Sequence, residues 1–138
     1  MRKINGIATG SLMLLTLAAG SPLYASERVA AGQWEVVSTT DGEAHTFKYC
    51  LKPEDATSMN GDEAIARAYT EKHMGKNYKL TKFKADGNSI SYTSAYGPVI
   101  AETTTTYHRD TFEGVLKTTN NGTVRTTQIR ARRLGDCP

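Results

Sequence analysis

"QWEVVSTTDGEAHTFKYC" runs from Gln33 to Cys50, and the dipeptide Asp41-Gly42 in its middle decides how the rest is read. Asp-Gly between two alternating segments is a strong two-residue hairpin signal. Placing the turn there sets Trp34 against Tyr49, Glu35 against Lys48 and Val36 against Phe47. One register thus yields an aromatic pair, an ion pair and an apolar pair, the pairings that stabilise neighbouring strands. The segment is predicted to be an antiparallel hairpin.

The same pattern recurs downstream. In "YKLTKFKADGNSISYTSAY", Tyr78 to Tyr96, the residues Asp86-Gly87-Asn88 lie at the midpoint. A three-residue loop there would make Tyr78 and Tyr96 opposed neighbours. Gly97-Pro98 leads into "VIAETTTTYH", and a turn at Arg109-Asp110 sets Tyr107 against Phe112. The last hairpin turns at Asn121-Gly122, which opposes Glu113 to Arg130 and Asp110 to Arg133. "NGDEAIARAYTEKHMG" interrupts the alternation. Asn60 or Asp62 can cap it, Ala64, Ile65, Ala68 and Tyr69 share a stripe, and Gly75 stops it, so one helix of about three turns is expected. The fold class expected is mainly β: an antiparallel meander of about seven strands, forming a curved sheet or small barrel with one helix packed on it.

The chain has 138 residues and opens Met1-Arg2-Lys3, followed by "ATGSLMLLTLAAG" and "SPLYAS". A basic start, a short apolar run and small residues at its end are the pattern of an export signal. The run is too short and too diluted by Thr, Gly and Ser for a bilayer, which takes roughly 20 apolar residues. Cleavage after Ala25 is expected, leaving a single β-rich domain over 26–138, periplasmic or secreted, with no membrane anchor. No cysteine follows the apolar run, which argues against a lipid anchor. Losing residues 1–25 removes two basic side chains and no acid, so 15 basic residues face 14 acidic ones. A balance that near neutral gives no electrostatic case for nucleic acid.

Cys50 and Cys137 are the two cysteines of the chain. In an exported protein such a pair reads as a bridge, the alternative being two buried thiols. Bridged, they would tie the C-terminal "LGDCP" to the second strand.

"AGQWEV" just after the signal, "YCL" with Pro-Glu two residues on, "FKADGNSISY" in the middle and "LGDCP" at the end together resemble the domain of unknown function 3617 family of small exported bacterial proteins. The resemblance covers essentially all of the chain after the signal. It implies export and a compact fold, and offers no catalytic residues to carry over. Members of that family often carry two more cysteines, one on each side of the "DGN" hairpin. The resemblance implies that Tyr78 and Tyr96 stand where those cysteines would be, an aromatic pair replacing a cross-strand bridge, the alternative being an ordinary sheet pair. The exchange is uneven, since a bridge closing so short a loop gives about 3 kcal/mol and an aromatic pair about 0.5 to 1.5 kcal/mol.

Chemistry is sparse. His45, His73 and His108 stand far apart, none with a zinc-like spacing to another ligand, and no nucleophile elbow or phosphate-cradling loop is present. No metal, cofactor or catalytic residue is expected, and the chain reads as a non-enzyme. Arg125, Arg130, Arg132 and Arg133 concentrate charge on the last strand, where the pleat divides them between two faces. They read as protection of a sheet edge or as a site for an anionic partner. Tyr92, Tyr96, Tyr107 and Arg130 are the candidate ligand-binding residues, with the aromatics either filling a core or lining a cavity. The function expected is binding of a small apolar or amphipathic molecule. The alternative is an envelope interaction protein, an inhibitor or accessory factor, acting through a strand edge or the arginine face.

Overall fold

Both residues of the Asp41-Gly42 turn adopt positive φ, 51° and 83°, as do Asn121 and Gly122 at 47° and 81°. These are the backbone angles that let a two-residue turn follow the twist of its strands. In the computed structural model, which describes residues 27–138, they close the hairpins β1 (Gly32–Thr40)/β2 (Glu43–Leu51) and β6 (Thr111–Asn120)/β7 (Thr123–Gly135). Trp34 pairs with Tyr49, Glu35 with Lys48 and Val36 with Phe47, as the turn requires. Tyr107 pairs with Phe112 and Glu113 with Arg130. The expected export segment, 1–25, lies outside the described residues.

The central hairpin of β3 (Lys79–Asp86) and β4 (Ser89–Tyr96) corrects the sequence reading in its details. Its turn has two residues, Gly87 and Asn88, because Gly87 supplies a positive φ of 56° and lets Asp86 pair directly with Ser89. That register is one step away from the expected one. A bulge between Leu80 and Lys82 absorbs the step, so Lys79 pairs with Ala95 beyond it. Tyr78 and Tyr96 therefore do meet, with ring centroids 5.0 Å apart and stacked planes.

β5 (Val99–Tyr107) completes one sheet of order β2-β1-β7-β6-β5-β4-β3. The sheet is open, with β2 and β3 at its edges. β7 lies between β1 and β6, which overturns its reading as a charge-protected edge. The reason is the long-range pairing of β1 with β7, from Thr40 against Thr127 to Gln33 against Gly135. Glu35 then receives Arg132 at 2.9 Å, while Glu113 and Arg130, opposed in register, form no ion pair among the described residues.

Two helices lie on the sheet where one was expected: α1 (Pro53–Met59) and α2 (Glu63–Met74). The first has Pro at its start and Glu54 and Asp55 in its first turn, both favourable at a helix N-terminus. It is too short to show periodicity. Asp62 caps α2 by accepting the Ile65 N–H at 2.9 Å. The buried side of α2 is centred on Ala66, with Tyr69 and Thr70 half-buried, whereas Ala64, Ile65 and Ala68 of the expected stripe are exposed.

The core follows from this placement. Trp34 is fully buried, donates its indole N–H to the Ala30 carbonyl at 3.0 Å and packs on Phe112 with centroids 5.3 Å apart. The chain leading into β1 is held by two polar clasps. Asn60, between the helices, accepts from Val29 N–H at 2.9 Å and donates back to the Val29 carbonyl at 2.8 Å. Arg28 donates to the carbonyls of Gly87, Met59 and Gly61 at 2.6, 2.9 and 2.8 Å, joining the first residues, the α1–α2 junction and the β3–β4 turn. Gly32 has φ 141°, and a side chain there would run into the Gly135 carbonyl and the Arg133 guanidinium.

Beyond Gly135 the tail crosses β1 to bring Cys137 to Cys50, with Cα atoms 5.5 Å apart at a sequence separation of 87. That separation is within the bridging range. Bonded, the pair restricts the unfolded chain and stabilises the fold by roughly 2 to 5 kcal/mol. The oxidised protein is expected to titrate no reactive thiol, and a Cys50→Ser/Cys137→Ser variant to lose about 2 kcal/mol or more in urea unfolding. Two reactive thiols in the native protein would contradict the pairing.

Candidate functional site

Because strand side chains alternate between faces, the register fixes which residues share the inner surface beneath the helices. One row across the sheet reads Phe83, Tyr92, Thr103, Leu116, Thr127 and Thr40. The next rows carry Ile90 and Ile129, then Tyr107, Phe112, Ala131 and Val36. Phe83 and Tyr92 lie with their planes 13° apart and centroids at 6.2 Å, and Tyr107 packs on Phe112 at 5.5 Å.

α2 does not seal this surface. Between the helix and strands β4 and β5 lies a cavity of about 240 Å³, walled by Met59, Ala66, Tyr69, Thr70, His73, Met74, Ile90, Tyr92 and Tyr107. Its wall is mostly apolar, with phenols, one threonine and one imidazole as its polar groups. Two methionines make part of that wall deformable, since the thioether chain is unbranched and adapts its shape. The Thr70 hydroxyl is committed to the Ala66 carbonyl at 2.9 Å. His73 packs on Tyr69 with centroids 4.0 Å apart and planes tilted by 33°, donates its Nδ1–H to the Tyr69 carbonyl oxygen at 2.8 Å, and turns Nε2 toward Asp55 at 4.0 Å. On the far side of this pair a more open hollow of about 430 Å³ separates α1 from α2.

Three phenols, those of Tyr49, Tyr69 and Tyr107, resist ionisation. Burial pushes Tyr49 up to about 12, with the neighbouring Tyr69 phenol adding to the effect. Tyr107 is raised further, first by burial and then by Tyr92 and Tyr49. Tyr69 is raised by burial and by the Asp55 carboxylate. The buried phenols are therefore neutral at ordinary pH and able to donate hydrogen bonds.

Of the four candidate ligand residues, Tyr92 and Tyr107 come together in this cavity. Tyr96 shares their face but sits at the far end of β4, 47% exposed and stacked on Tyr78. Arg130 lies on the opposite face of the sheet, in a shallow depression with Glu35, Val37 and Arg132. The pleat places Arg133 on the inner side, where it donates to the Ala31 carbonyl at 2.7 Å and to Asp136 at 2.9 Å. The sequence reading passed over Met59, Met74 and the cavity roles of Tyr69 and His73. Tyr69 and His73 stand four residues apart, a helical-face spacing that could have joined them. His45 lies on β2 and His108 at the β5–β6 turn, and neither reaches the cavity. Among the described residues no group of three or more His, Cys, Asp or Glu side chains is placed to hold a metal ion.

The class defined by these features is an open antiparallel sheet whose inner face carries two helices over an aromatic cavity. The chain belongs to the family described as "Protein of unknown function (DUF3617)", whose pattern matches residues 29–137, from the Val29 clasp to Cys137. No curated protein and no solved structure matches it.

The phenol shifts give a signed expectation. Tyr49 ionises at an ordinary value of 10.0 when unfolded and near 12 when folded, so the folded state holds its proton more tightly. Its contribution to stability is complete below pH 10 and declines as pH rises toward 12. The urea midpoint is expected to fall over that interval, and less steeply in Tyr49→Phe. Identical slopes for the two proteins would exclude the Tyr49 phenol as a cause.

Proposed function

We propose that this chain is an exported, non-enzymatic binding protein that holds a small apolar or amphipathic molecule between α2 and the inner face of the sheet. The observation that carries the reading is the cavity of about 240 Å³ beneath α2. A mostly apolar hollow with a few convergent polar groups is the usual form of a small-molecule site. The apolar body of a ligand would rest among Met59, Met74, Ala66 and Ile90, beside the Tyr92 ring. A polar end would meet neutral phenol donors, which favours an uncharged or weakly acidic oxygen acceptor. Among the described residues the Thr70 hydroxyl, the aliphatic hydroxyl of the cavity wall, is already engaged with a backbone carbonyl, which favours binding over catalysis. Export rests on the basic and apolar N-terminal segment and on the cysteine pair.

The apolar fluorophore N-phenyl-1-naphthylamine tests the site directly. It is expected to bind at one equivalent per chain, with enhanced emission. Thr70→Trp, which fills the cavity from the half-buried side of α2, should weaken binding by about tenfold or more, a loss of about 1.4 kcal/mol, while leaving the circular dichroism unchanged. No enhancement with the parent protein, or binding indifferent to Thr70→Trp, would count against the cavity as the site.

A further inference from the structure

The two edges of the sheet are treated differently. β3 is guarded: it carries Lys79, Lys82 and Lys84, it is broken by the bulge between Leu80 and Lys82, and its Ala85 N–H is occupied by the Glu63 carboxylate at 3.1 Å. Lysines, bulges and covered backbone groups are the usual means of preventing edge-to-edge pairing. Among the described residues β2 has no bulge and no side chain on its outward backbone groups, and it carries one lysine, Lys48. Its nine residues keep one unbroken register with β1, and the six from Glu43 to Lys48 are exposed in succession. Of its two charged side chains, Glu43 and Lys48, the second is drawn toward Glu35 at 4.0 Å.

The two-residue turn determines which backbone groups are free. Thr40 and Glu43 flank the turn as a hydrogen-bonded pair, and bonded pairs then alternate along a hairpin. Glu43, His45, Phe47, Tyr49 and Leu51 thus spend their N–H and C=O groups on β1. Those of Ala44, Thr46, Lys48 and Cys50 point outward, where a further strand would find them.

We propose that the β2 edge pairs antiparallel with the β2 edge of a second copy of this chain, on a two-fold axis through Phe47. The sequence of β2 is complementary to itself in that register. Phe47 is the midpoint of Glu43–Leu51, so this axis overlaps all nine residues, whereas any other shortens the pairing. Phe47 then meets its own copy, His45 meets Tyr49, and Thr46 meets Lys48. An axis through Lys48 would oppose two like charges, which is destabilising. Phe47 falls at a non-hydrogen-bonded site, where opposed side chains are closest, and it is 53% exposed in the single chain. The outward groups of the two strands supply about eight main-chain hydrogen bonds. Pairing continues the sheet and sets the two inner faces side by side. This inference does not depend on what the cavity holds.

Sedimentation velocity over a concentration series tests it, together with two variants. The parent protein is expected to form a reversible dimer. Thr46→Pro removes an outward N–H at an edge position that tolerates proline, and should give a monomer with an unchanged circular dichroism spectrum. Phe47→Cys places two thiols opposite each other within bridging range, and should form a covalent dimer under mild oxidation that keeps Cys50 and Cys137 joined. A monomer at every concentration, a dimer unaffected by Thr46→Pro, or co-purification of a foreign polypeptide on this edge overturns the proposal. Failure of Phe47→Cys to cross-link overturns the register.

Discussion

The pairing of β1 with β7 is the contact on which the rest of the structure depends. Every other strand pair in the sheet joins consecutive strands. β1 and β7 come from opposite ends of the described chain, and bringing them together closes a loop whose entropy must be offset elsewhere. Three features lie at that seam. Trp34 is buried against Phe112, Glu35 receives Arg132, and the tail beyond Gly135 carries Cys137 to Cys50 on the next strand. The cysteine pair thus fastens β2, β1 and the end of β7 at the one place where the topology has no hairpin to help it.

From that seam the inner face acquires its character. With β7 in the interior of the sheet, Ala131 and Ile129 join the surface that faces the helices, and Arg130 and Arg132 face away from it. The helices must then run from the end of β2 to the start of β3 across that surface, because those strands are the two edges. The Arg28 and Asn60 clasps fix the α1–α2 junction against the N-terminal segment. α2 is buried chiefly through Ala66, a small side chain. A helix held at its beginning and resting on alanine leaves room beneath it, and the phenols of β4 and β5 line that room.

Local turn chemistry was legible in the sequence, and non-local geometry was not. Asp41-Gly42 and Asn121-Gly122 define their hairpins because each pair supplies two residues at positive φ. The Tyr78–Tyr96 contact was also foreseeable, though by a loop of the wrong length, since the bulge near Thr81 cancelled the error. Nothing local in β7 indicates that it pairs with β1, so its arginines resembled the defence of an edge. The cysteines carried the one long-range signal, by linking the last residues to the second strand. α1 escaped notice because seven residues cannot display a helical period, although Pro53, Glu54 and Asp55 mark a helix start. Tyr92 and Tyr107 were identifiable as inner-face aromatics from the register. Their partners Tyr69, His73 and Met74 belong to α2, whose position over the sheet is a property of the fold.

Binding of a small molecule beneath α2 is the central functional claim, and native mass spectrometry of the protein purified from the cells that produce the full chain tests it most directly. A chain mass beginning at Ser26, accompanied by a reproducible small adduct released on denaturation, is the expected result, and the adduct identifies the ligand class. Bare chain in every preparation, with no adduct regained on incubation with a lipid and metabolite extract of those cells, would contradict the claim.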